Sequence, residues 1–208
     1  MKHVHLLIPK TATTYRRRTL VARTPRPRRW QTHCKTEHRP LSDFMGGPEV
    51  QFHAFVRDPL ERLVSHFHYF RRQMNRSNAV NKWWQEVVVN RFQTADEFFA
   101  WVDLEVFSAI QVHLVPQAAF VEPRTDRQAE SVVSLYDFAH FEQEYQRLLE
   151  TTGQSRRQRP YPGSAKHAGS SELSTSVTKL RKFYAADFDL YRMASAAWTG
   201  PASQLQQS

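Results

Sequence analysis

The chain has 208 residues, a length that fits one domain with a packed core, and a formal net charge of +9. Its single cysteine, Cys34, excludes an internal disulfide and a cysteine-rich metal site, and no apolar stretch is long enough for a bilayer-spanning helix or a signal-peptide core. The charge is uneven: residues 1–40 hold 11 Lys and Arg against Glu37 alone, giving +10, while the remaining 18 basic and 19 acidic residues give −1. An anionic partner therefore belongs to the N-terminal fifth.

The first element in chain order is a short apolar strand near 3–8, with Val4, Leu6, Leu7 and Ile8, stopped by Pro9. Lys10-Thr11-Ala12-Thr13-Thr14 follows as a polar turn that opens a helix over 14–22, whose free N–H groups and dipole attract an anion. Arg16, Arg17 and Arg18, with Arg26, Arg28 and Arg29, read first as a solvated face. Pro25 and Pro27 keep that stretch out of regular structure. A second strand, 50–57, contains Val50, Phe52, Ala54, Phe55 and Val56, and Asp58-Pro59-Leu60-Glu61 then starts a helix over 59–74. Arg57 stands at the mouth of that turn, with Ser65 two turns inside the helix.

Further helices are expected over 79–92, 95–103, 140–151 and 172–191, with a third strand at 131–136. Trp83, Trp84, Val87, Val88 and Phe92 read first as core, with an acceptor wall as the alternative. Ser155 to Ser171, rich in Arg, Pro, Gly and Ser, reads as a loop. The alternation of strands and helices predicts an α/β protein, with a central parallel sheet flanked by helices in a single domain, 1–208.

Pro9-Lys10-Thr11-Ala12-Thr13-Thr14 resembles the 5′-phosphosulfate loop of sulfotransferases, and Val56-Arg57-Asp58-Pro59 through Arg62-Leu63-Val64-Ser65 resembles their 3′-phosphate motif. His113-Leu114-Val115-Pro116-Gln117, Tyr136 to Glu142 and Phe183 to Tyr191 look like the carbohydrate-type branch, so the resemblance runs nearly end to end. It implies a P-loop-like sulfotransferase fold and 3′-phosphoadenosine 5′-phosphosulfate as donor. It also implies a hydroxyl-bearing acceptor, a glycan first, and no metal. The donor would be held by Lys10, Thr11, Ala12, Thr13, Thr14, Arg57 and Ser65, and the 155–171 loop would fold over it with Arg157, Lys166 or His167 near phosphate. Ala12 stands where the family commonly has Gly, and about 24 residues separate Thr14 from His38, a shorter link than relatives use. Eukaryotic carbohydrate sulfotransferases usually carry a membrane anchor. None is seen here, so the reading is a bacterial-type soluble, cytoplasmic enzyme or a fragment.

Sulfuryl transfer to an alcohol needs a base for the hydroxyl proton and a cation for the leaving oxygen. Lys10 is the candidate cation. For the base, His38 lies between the two phosphate motifs, where carbohydrate-type relatives carry a catalytic His. Glu37 is the carboxylate alternative and His33 the third choice. His33, Cys34 and His38 do not repeat as a paired ligand set, which argues against zinc. The rival readings are a nucleotide or small-molecule kinase and a basic nucleic-acid-binding protein. The missing Gly-x-x-x-x-Gly-Lys loop weighs against the first, and the second would use the N-terminal arginines.

Overall fold

The computed structural model describes residues 2–11, 20–21, 38–72, 79–156 and 169–198. Its strands are β1 (Lys2–Leu6), β2 (Leu20–Val21), β3 (Val50–Val56), β4 (Val132–Asp137) and β5 (Ser155–Arg156). Its helices are α1 (Pro59–Arg72), α2 (Ala79–Trp83), α3 (Ala95–Trp101), α4 (Leu104–Ser108), α5 (Ala118–Val121), α6 (Asp126–Ala129), α7 (Phe141–Thr152), α8 (Val177–Phe183) and α9 (Ala185–Ala196). The chain divides into two compact units: Met1–Arg57 with Pro116–Tyr161 and Ala186–Ser208, and Asp58–Val115 with Pro162–Ala185.

The first unit holds a three-stranded parallel sheet in the order β1-β3-β4, with Leu6 opposite Ala54 and Val56 opposite Asp137. The class is therefore α/β, as the alternation predicts. Parallel strands covered on both faces read as continuous apolar runs, and the central β3 does: Phe52, Ala54, Phe55 and Val56 are all buried. On one face Phe55 and Tyr136 pack against Phe138, Phe141, Tyr145, Leu148 and Leu149, the last four from α7. On the other, Val56 packs with Leu190 and Ala194 of α9. Gly153 ends α7 at φ 63°, the left-handed conformation a helix C-terminus favours. A hydrogen-bonded chain crosses the sheet from His3 Nδ1 to His53 Nε2 (2.9 Å) and from His53 Nδ1 to the Tyr136 hydroxyl (3.0 Å).

The second unit is helical. Arg62 of α1 is buried and donates to the carbonyls of His113 and Val115, both at 3.1 Å. Its guanidinium lies over the ring of Tyr184, whose hydroxyl donates to Leu114 O. The Asp96 carboxylate accepts from the backbone N–H groups and hydroxyls of Ser174, Thr175 and Ser176. These hydrogen bonds hold it far below the usual carboxylate range although burial opposes them.

Several expectations are corrected. The helix expected over 14–22 does not extend through Leu20–Val21, which pair antiparallel with Ser155–Arg156; 14–19 and 22 lie outside the described residues. The same pairing makes the start of the 155–171 loop a strand, and Ser170–Glu172 form a 3-10 turn. The 79–92 helix widens into a π turn at Trp84–Val88 and tightens at Val89–Arg91. Trp84, Gln85, Val88 and Val89 are buried along this stretch, whereas Trp83 and Val87, expected in the core, are exposed. The 172–191 helix breaks at Tyr184, which leaves helical geometry (φ −99°, ψ 26°) as its side chain reaches Leu114.

Candidate functional site

In open α/β sheets ligands bind beyond the carboxyl ends of the strands, and in the first unit that edge gathers cations. β1 gives way to Leu7 and Ile8, both buried, and then to the Pro9-Lys10 turn. Lys10 has φ 66°, and it is the non-glycine residue with positive φ among those described. A residue with a Cβ held there stores backbone strain. The Thr11 hydroxyl donates to Ile8 O at 2.7 Å and closes the turn.

Beside this turn is Arg57, one residue beyond the end of β3. The Lys10 ammonium is pushed down to about 8, first by burial and second by the Arg57 charge. Two cations in a partly desolvated place repel each other, and an anion between them would relieve that repulsion. The Arg57 guanidinium lies over the Phe138 ring at 5.0 Å. The Arg57 backbone is held at both of its polar groups by the side chain of Gln117. Arg57 N–H donates to Gln117 Oε1 (3.0 Å), and Gln117 Nε2 donates to Arg57 O (2.7 Å). Gln117 and Ala118 in turn donate their backbone N–H groups to the two Asp187 oxygens at 2.8 and 2.9 Å.

His38 is fixed to the same strand end. Its Nδ1–H donates to Leu7 O at 2.5 Å, three residues before Lys10. In a neutral imidazole with the proton on Nδ1, Nε2 is the basic nitrogen. Asp137, at the end of β4, accepts from Ala139 N–H and from the Ser195 hydroxyl, which fixes the start of the Phe138 turn.

Of the residues singled out by sequence, Lys10, Thr11, Arg57 and His38 thus lie in the first unit around the ends of β1 and β3. Ser65 belongs to the second unit, buried on α1, and the Asp58 carboxylate caps that helix by accepting from Glu61 N–H at 2.9 Å. Ala12, Thr13, Thr14, His33, Glu37, Arg157, Lys166 and His167 lie outside the described residues. An open groove of about 810 Å³ in the second unit is lined by Trp101, Asp103, Glu105, Lys182 and Phe183, with none of the expected site residues. Its Lys179 is engaged by the carbonyls of Phe99, Ala100 and Val102. Among the described residues no group of three or more His, Cys, Asp or Glu side chains could hold a metal ion, and no helix is long and apolar enough to cross a membrane.

The hold of Gln117 on Arg57 was not read from sequence. A glutamine after proline carries no local sign that its amide spans a distance of 60 residues to complete a strand end. Compared with protein-family models, curated proteins and solved structures, the chain matches none of them.

Proposed function

We propose that the chain is a sulfotransferase that moves the sulfuryl group of 3′-phosphoadenosine 5′-phosphosulfate to a hydroxyl, first of all on a glycan. The observation that carries this reading is the convergence of Lys10 and Arg57 at the carboxyl edge of a parallel sheet, with His38 tied to the strand that leads into the Lys10 turn. A nucleotide with anionic groups at both its 3′ and its 5′ position suits two adjacent cations. In the proposed reaction the acceptor oxygen attacks sulfur as the bond from sulfur to the 5′-phosphate oxygen breaks. The acceptor proton passes to His38 Nε2, and Lys10 neutralises the charge that grows on the leaving oxygen. Arg57 takes the 3′-phosphate, and Thr11 with Ala12, Thr13 and Thr14 would hold the 5′ end. Glu37 is the alternative base. The reading needs no metal and no nucleic-acid partner, and it places the enzyme in the cytoplasm.

Calorimetry with 3′-phosphoadenosine 5′-phosphate tests it. The expected result is saturable binding, tighter than that of adenosine 5′-phosphate. Absence of binding, with a steep and sequence-blind salt dependence of binding to random DNA, would replace the proposal with a nucleic-acid role.

A further inference from the structure

We infer that Gln117 and Phe138 are positioning residues that set the selectivity of Arg57 for a 3′-phosphate; the inference rests on the nucleotide reading of Arg57. The register of β3 with β4 ends at Val56 opposite Asp137, so Arg57 lies one residue beyond the ladder. The Gln117 carboxamide supplies what a further strand residue would, one acceptor for Arg57 N–H and one donor for Arg57 O. Only a side chain with both functions at that reach satisfies both groups. The base of this clamp is fixed by fully buried Asp187, which holds the backbone of Gln117 and Ala118.

Phe138 acts on the other end of the residue. The Arg57 Cζ lies over the Phe138 ring at 5.0 Å from its centroid, a cation–π contact that restrains where the guanidinium sits. The two contacts restrain the backbone by one neighbour and the guanidinium by another. Bidentate recognition of a phosphate depends on orientation as well as charge. Loosening either contact should therefore spoil discrimination for the 3′-phosphate and spare the rest of the nucleotide.

The test compares affinities for 3′-phosphoadenosine 5′-phosphate and adenosine 5′-phosphate in the wild type, Gln117→Glu and Phe138→Leu. Gln117→Glu keeps the shape but sets an acceptor against Arg57 O, whereas Phe138→Leu stays apolar and loses the ring face. In each variant the ratio of the two affinities should fall by about five-fold or more, with adenosine 5′-phosphate binding changed by less than about two-fold. If the buried Gln117→Glu change prevents folding, Phe138→Leu still decides. Folded variants that keep the wild-type ratio, or that lose both ligands equally, overturn the positioning role while leaving the nucleotide reading intact. A wild type indifferent to the 3′-phosphate overturns that reading itself, and the inference with it.

Discussion

Lys10 gives the proposal a pH dependence with a fixed sign. Its pKa is lowered from the ordinary 10.5 to about 8 by burial and by Arg57, so the folded chain is penalised for holding this charge below about pH 8 and is relieved as pH rises toward 10.5. Binding of an anion runs the other way, because it needs the charged ammonium. If the bound anion restores the ordinary pKa, affinity for 3′-phosphoadenosine 5′-phosphate falls by about 30-fold, or about 2 kcal/mol, between pH 7 and pH 9.5. Near pH 8.5 binding then takes up about 0.7 proton, readable by calorimetry in two buffers of different ionisation enthalpy. Lys10→Met should bind more weakly at pH 7 and lose both the slope and the proton uptake. Affinity that stays flat over this range in the wild type, or a decline that persists in Lys10→Met, would refute the reasoning.

Backbone strain separates the two roles of Lys10: Lys10→Gly should be more stable than Lys10→Ala by about 1 kcal/mol in urea unfolding, with both weak in nucleotide binding, since only glycine accepts φ 66° without strain. Arg57→Ala should cost roughly 1.5–3 kcal/mol of binding to the 3′-phosphorylated nucleotide and little for adenosine 5′-phosphosulfate, as titrations of both ligands will show. His38→Ala should cut turnover by roughly 10²–10⁴-fold with nucleotide affinity nearly unchanged; an active His38→Ala beside an inactive Glu37→Gln would move the base to Glu37. Acid should weaken the fold through His3, whose pKa is lowered by burial and by the chain's amino terminus. Its contribution is present above 6.5 and is lost as pH falls, so His3→Gln should flatten the decline of the urea midpoint between pH 7 and pH 5.

The sheet was legible because its signals are local. β3 is a run of apolar residues closed by Asp58-Pro59, and a buried parallel strand followed by a capped helix is what such a run produces. The elements misjudged are those decided at long range. Leu20–Val21 become a strand only because Ser155–Arg156 pair with them, and Tyr184 breaks a helix because Leu114 O accepts its hydroxyl. The same divide runs through the candidate site. Lys10 and Arg57 stand out as cations after apolar strands, but nothing local says that β1 and β3 are neighbours and bring the two charges together. Pairing of β1 with β3 does that, across nearly fifty residues of chain.

What the structure adds is a set of costs in one place. Left-handed backbone at Lys10, partial burial of its ammonium and repulsion from Arg57 each disfavour the folded state; glycine at position 10 would avoid all three, whereas a neutral residue with a Cβ would avoid only the last two. The surroundings are built to hold the arrangement. Thr11 closes the turn onto Ile8, His38 is tied to Leu7, and Gln117 completes the strand end at Arg57. The proposed anion, held by both cations, would offset these costs, and Lys10→Gly, relieved of them and weaker in nucleotide binding, is the variant in which the two demands part.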